Sequence, residues 1–121
     1  MLLSSLASGQ RIIERQLETG RERFRAIVNN GDTLKQGAYT YYYSHDTVYQ
    51  TGFYHQDKPD SLWRIFYSDG SLKKTMHYKN GKRNGVYREY YRNGDKKLQC
   101  RYRNGLLHGK LVRYHYNDTV R

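Results

Sequence analysis

The side chains best suited to chemistry in this chain are cations. Lys73, Lys79, Lys97, Arg101 and Arg103 share one parity of two alternating runs, and Arg64 and Arg88 hold matching places ahead of them. In a strand, residues of one parity share a face, so these seven would line up as a basic strip. Such a strip attracts anionic groups. It would also keep an edge-bearing sheet soluble with no ligand at all. Both readings stand at this level. Phe66, Tyr90 and Tyr114 form a candidate row of outward aromatics. Rings in a row can stack on a ligand, or they can simply cover the sheet with large, half-wet side chains.

Other chemistry finds little support. Cys100 is the single cysteine and stands on the inward parity with Tyr102, as a small packed hydrophobe would. His45, His55, His77, His108 and His115 show no Cys/His cluster or metal-ligand spacing, and zinc needs three or four converging ligands. His55, Asp57 and Asp60 share one irregular stretch, the single place where a small site could form. Acid–base pairs would have to come from Asp69, Glu89 and Asp95, two of them turn residues. There is no G-x-S-x-G elbow, phosphate loop or dinucleotide fingerprint. No catalytic residue, cofactor or metal is expected, and the chain reads as a non-enzyme.

The elements that must position the cations come from a repeat. Leu62–Gly85 and Val86–Gly109 align without a gap at an offset of 24 residues. They match at Arg64/Arg88, Phe66/Tyr90, Tyr67/Tyr91, Gly70/Gly94, Lys73/Lys97, Tyr78/Tyr102, Asn80/Asn104 and Gly81/Gly105. Such a period marks a repeat architecture. Upstream, Tyr39, Tyr42, Tyr43 and Tyr54 keep the frame, with Asp46 and Asp57 replacing the two turn glycines. Gly20 to Gly31 lines up once more if two residues are inserted before Gly37. Each unit holds two runs of period two separated by turn chemistry, hence strands. Asn-Gly pairs at Asn30, Asn80, Asn84, Asn93 and Asn104 signal tight hairpins. The fold expected is all-β: hairpin repeats of 24 residues in an elongated antiparallel meander sheet.

The pattern G-x-W/Y-x-x-Y/F-Y-x-x-G-x-x-K-x-x-x-x-Y-K/R-N-G-x-x-x-G resembles the MORN-variant repeat, of the type in the YwqK-like antitoxin family. The resemblance covers Gly37 to Asp118. It implies β-hairpins stacked into an elongated sheet, and an antitoxin-type role of binding and neutralising a partner. It carries no catalytic residues to this chain.

Composition agrees with a thin repeat sheet. Only 36% of the 121 residues are hydrophobic, 14 residues being tyrosine, so a deep aliphatic core is not expected; each hairpin buries its face against its neighbours. The net charge of +11 is unevenly placed. Seven bases face seven acids through Asp60, whereas fifteen bases face four acids from Ser61 onward. An acidic protein is the favoured partner. Anionic lipid headgroups or a cell-wall polymer are the alternative, and nucleic acid comes behind them.

Residues 1–10 (MLLSSLASGQ) resemble the tail of a secretory signal peptide without its basic start, or else form a plain tail or short helix. Periplasmic or secreted localisation is expected from the first reading and cytoplasmic from the second. The run is too short to span a membrane as a helix. Arg11–Thr19 fits a strand or a helical turn, with Ile12, Ile13 and Leu17 on one helical face. Residues 11–36 read as a lead-in with a degenerate repeat, and 37–121 as the repeat domain (37–60, 61–84, 85–108 and a partial 109–121). His55–Ser61 reads as a loop that accommodates Pro59. The unfinished last copy makes 111–116 a candidate edge for pairing with a partner or for a homo-oligomer; a fragment of a longer repeat protein is the remaining reading.

Overall fold

The structure, a computed structural model, describes residues 9–43 and 45–116. They form one antiparallel sheet of ten strands and no helix. In chain order the strands are β1 (Gln10–Gln16), β2 (Gly20–Asn29), β3 (Asp32–Tyr43), β4 (Val48–His55), β5 (Lys58–Phe66), β6 (Leu72–Lys79), β7 (Lys82–Arg83), β8 (Gly85–Tyr90), β9 (Lys96–Arg103) and β10 (Leu106–Arg113). Nine follow chain order across the sheet, and the two-residue β7 pairs with β6. This is the meander of hairpins that the alternating runs and turn pairs require.

Residues 24 apart stand level with each other. Thr40 pairs with Thr51, Thr51 with Arg64, Arg64 with Thr75, and Thr75 with Arg88. One repeat therefore advances two strands, about 9.5 Å at the ordinary strand spacing.

Turn chemistry sets this register. Asn30-Gly31, Asn80-Gly81 and Asn104-Gly105 hold both residues at positive φ (50 and 83°, 51 and 83°, 50 and 84°), the mirror-image turn that suits twisted hairpins. Gln56-Asp57 adopts the same pair of angles, 49 and 69°, because aspartate tolerates the left-handed region. Its amide donates to the Lys35 carbonyl as Gly81 does to Pro59 and Gly105 to Arg83. The loss of glycine in that copy leaves the hairpin intact. Asn84-Gly85 and Asn93-Gly94 are not such turns: Gly85 opens β8, and Gly94 closes a five-residue turn onto the Tyr91 carbonyl.

Two further expectations change. The helical alternative for Arg11–Thr19 is overturned, since residues 10–16 pair with β2 throughout. The loop at His55–Ser61 shrinks to Gln56-Asp57, and Pro59 lies in β5 opposite Tyr54. Proline is tolerated there because His55 and Lys58 form the hydrogen-bonded pair that closes the two-residue turn, so the next pair, Tyr54 and Pro59, is a non-hydrogen-bonded one that needs no proline N–H across the hairpin. The signal-peptide reading falls on residues 1–10, of which 1–8 lie outside the described residues, while Gln10 begins β1. The last partial copy is described only as far as Tyr116.

The core is a row of side chains on one face. Phe24 pairs with Tyr39, Tyr39 with Gly52, Trp63 with Met76 and Tyr87 with Cys100, and all but the glycine are buried hydrophobics. From Tyr39 onward larger and smaller residues alternate, as interdigitation requires. Gly52 is the sharpest case: a Cβ there would lie 2.1 Å from the Trp63 ring. Its absence lets the indole cross β4 and reach Tyr39 at 5.5 Å and Tyr54 edge-on at 5.1 Å. Beneath, the Tyr39 hydroxyl donates to the buried Glu22 carboxylate at 2.7 Å. Burial first, and then that carboxylate, push the Tyr39 phenol well above its ordinary pKa.

Candidate binding face

The opposite, outer face carries the functional candidates. Directly paired residues of an antiparallel sheet project to one side, so the level row Arg23, Thr40, Thr51, Arg64, Thr75, Arg88, Gln99 lies entirely on it. Arg101 joins this face through its pairing with Val86, Lys79 through Lys82, and Arg103 through Leu106. Arg64, Lys79, Arg101 and Arg103 are exposed and Arg88 is half-buried. None of the five has a carboxylate partner among the described residues. The Arg88 Nε donates to Gln99 Oε1 at 2.9 Å, which fixes that guanidinium.

Lys73 and Lys97 leave the strip. Ile65 pairs with Lys74 but Phe66 pairs with Leu72, so Lys73 is an extra residue squeezed out of the ladder. Lys97 is extra in the same way between Leu98 and Lys96, and Tyr49 between Gln50 and Val48. A bulge breaks the alternation that parity counting assumes. The Lys73 ammonium lies 5.5 Å over the Tyr67 ring and that of Lys97 5.6 Å over Tyr91; Tyr49 packs on Tyr43 at 4.9 Å in the same place. The same bulge carries Leu72 to the outer face, although simple alternation along β6 would put it on the face of Met76.

Phe66, Tyr90 and Tyr114 recur at the 24-residue interval. Phe66 and Tyr90 lie on the outer face, opposite Leu72 and Lys96; the Lys96 ammonium is 5.9 Å over the Tyr114 ring. The structure adds Tyr42, which faces Arg21 and Val48 on the same side and carries the Arg21 guanidinium 4.2 Å over its ring. The repeat frame already held the signal for it. Along β5 and β8 an arginine precedes each ring by two residues, Arg64 before Phe66 and Arg88 before Tyr90, about 7 Å along the strand.

The candidate carboxylates and His55 are each engaged separately. Asp57 accepts from the Lys35 amide, Asp60 from Ser61 and His55 Nδ1 stands 3.2 Å from Gln36 Nε2, so these three do not converge. Asp69 caps its own turn through Ser71, whose hydroxyl and amide hold its carboxyl below the ordinary range. Glu89 accepts from Tyr87 at 2.6 Å and Asp95 sits in the turn with Asn93. No group of three or more metal-ligating side chains occurs among the described residues. Cys100 is buried and its thiol is pushed up by desolvation. On the core face, Thr19, Tyr39, Tyr41, Tyr43, Tyr49 and Gln50 line an open cleft of about 520 Å³. No described helix is long and apolar enough to cross a membrane.

A level-stacked meander with two strands per unit and a patterned outer face defines a β-hairpin repeat protein. The MORN repeat variant matches it at residues 59–80 and 83–104, two adjacent copies. Each match runs from the strand leaving one Asn-Gly or Gln-Asp turn to the asparagine of the next, the structural unit seen here. No curated protein matches the chain.

Proposed function

We propose that this chain is a non-catalytic interaction module whose outer face binds an acidic protein. The observation that carries the reading is the set Arg64, Arg88 and Arg101: three cations on one face of the sheet, without carboxylate partners among the described residues. Unpaired fixed charge on a regular lattice favours a partner of opposite charge and steers its approach. An antitoxin-type role, masking an acidic partner protein, is the form of this reading that the repeat resemblance supports. The leader-like residues 1–10 support a periplasmic or secreted setting, tested by whether the mature chain begins at Gln10. The test of binding compares the wild type with R64E/R88E/R101E against polyglutamate, anionic phospholipid vesicles and a single-stranded oligonucleotide in low salt. Polyglutamate binding lost in the triple variant supports the reading. Binding unchanged by triple reversal sinks it, and preference for vesicles or oligonucleotide gives the polyanion alternative.

A second reading rests on β10. All eight of its residues are exposed, with Leu106 at 73% and Leu107 at 52%, and it pairs only with β9 among the described strands. An apolar edge is a template for strand addition. Sedimentation of wild type and L107K/V112K measures it: self-association abolished by the lysines supports edge pairing, and a monomer in both excludes a homo-oligomer at this edge.

A further inference from the structure

We propose that the outer face receives an acidic, proline-containing segment in the polyproline II conformation, laid across the strands rather than along them. The inference rests on the acidic-protein reading above and names the shape of the partner. Its basis is a match of spacings. Phe66 and Tyr90 are one repeat apart and level, hence about 9.5 Å apart. A polyproline II helix has three residues per turn at 3.1 Å each, about 9.3 Å per turn. A β-strand ligand would return a side chain to one face every 6.6–6.8 Å or so, and an α-helix every 5.4 Å or so; neither keeps step with these rings.

The chemistry at each step fits as well. Leu72 stands between Phe66 and Tyr90 on the same face, so the two rings with the isobutyl group between them make an apolar row against which proline rings can pack. Tyr42, with Arg21 stacked on it at 4.2 Å, closes the row at its third position. Beside the rings run Arg64 and Arg88, each two residues earlier in its own strand. Gln99 holds Arg88 by Nε, which leaves the terminal guanidinium nitrogens to form the fork that carboxylates accept. A ligand with proline at every third position and glutamate next to it meets ring and guanidinium once per turn. It has few internal hydrogen bonds to break and little chain entropy to lose on docking.

The experiment is fluorescence anisotropy with labelled peptides long enough to span Tyr42 to Tyr90, about 20 Å or roughly seven residues at 3.1 Å. One is a Pro-Glu-Ala repeat. A second has the same composition with the three-residue period broken. A third replaces each proline by alanine. An oligonucleotide and anionic phospholipid vesicles serve as further probes, and circular dichroism follows the fold of each variant. The periodic peptide is expected to bind about tenfold or more tightly than the other two. R64E/R88E should weaken it by about tenfold or more. F66L/Y90L should erase the advantage of the periodic peptide and leave binding of polyglutamate unchanged. Equal binding of the periodic and broken peptides overturns the conformational proposal and leaves the acidic-protein reading standing. No binding of any acidic peptide, with vesicles or oligonucleotide bound instead, overturns both. If F66L/Y90L loses its fold, the peptide comparison on wild type and R64E/R88E still decides, since those arginines lie on the outer face and outside the core.

Discussion

The hydroxyl of Tyr67 donates to the backbone carbonyl of Tyr90 at 2.6 Å. The link ties one repeat to the next, and it recurs from Tyr91 to Tyr114 at 3.1 Å and from Tyr43 to Phe66 at 3.4 Å. Each acceptor is the carbonyl of a residue in the outer aromatic row. The phenol ladder thus holds in place the strand ends that present those rings. Its own rings are covered in turn: Tyr67 lies under Arg92 at 4.8 Å and Lys73 at 5.5 Å, and Tyr91 packs edge-on against Tyr116 at 4.9 Å.

Y67F should therefore destabilise the sheet by about 0.5–1.5 kcal/mol, the net worth of one hydrogen bond. Y43F, at the longest of the three contacts, should cost less. Urea midpoints of the two variants measure the difference, and a larger loss in Y43F would mean that the ladder does not hold the repeats together.

At Gly52 the smallest addition should be costly. A Cβ would meet the Trp63 ring at 2.1 Å, and neither the strand nor an indole wedged among Tyr39, Tyr54 and Tyr78 has room to yield. Overpacking of this kind costs about 1–3 kcal/mol or more. G52A should lower the thermal midpoint and change the near-ultraviolet circular dichroism of the tryptophan. The same substitution at Gly94, where nothing stands within 4 Å, tests only the strain of a left-handed backbone and should leave the tryptophan signal alone.

Stability should fall in alkali. The Tyr87 phenol is raised above its ordinary value by burial and by its bond to Glu89, and Tyr39 by burial and Glu22. In the unfolded chain these groups ionise near pH 10 or so. Above that pH the unfolded state binds fewer protons than the folded one, so the stability present at lower pH is lost as pH rises. The slope is about 1.4 kcal/mol per pH unit for each such group. Denaturant titrations between about pH 9 and 11 should show the decline, less steep in Y87F. A flat profile in the wild type would contradict the burial of both phenols.

Cys100 should be silent in the folded protein. It is 3% exposed and packed opposite Tyr87, and desolvation disfavours the thiolate that would react. Labelling with a thiol-specific disulfide reagent should proceed only at the rate of opening, and become fast in denaturant. Rapid labelling under native conditions would show that β8 and β9 separate freely.

Much of this architecture is legible in the chain because its determinants are local. Asn80-Gly81 and Asn104-Gly105 specify their turns by their own φ preferences, and Met76, Tyr78, Leu98, Cys100 and Tyr102 mark the packed face by alternation. Arg64, Arg88, Arg101, Phe66 and Tyr90 could be placed on one side for the same reason. Gln56-Asp57 was harder to read, since no glycine marks it; the turn is held by two hydrogen bonds between Asp57 and the Lys35 backbone.

The 24-residue repeat alone determined the strands, their number per unit and the all-β sheet, since period-two side chains and tight turns leave the backbone one way to pair. Only the tertiary structure decided where that pairing slips. Tyr49, Lys73 and Lys97 are extruded because each strand must match the length of its neighbour across a five-residue turn, a constraint between strands that no single strand encodes. That slip moves two lysines off the basic strip and onto tyrosine rings. It brings Leu72 out between Phe66 and Tyr90, and so gives the outer face an apolar row beside Arg64 and Arg88.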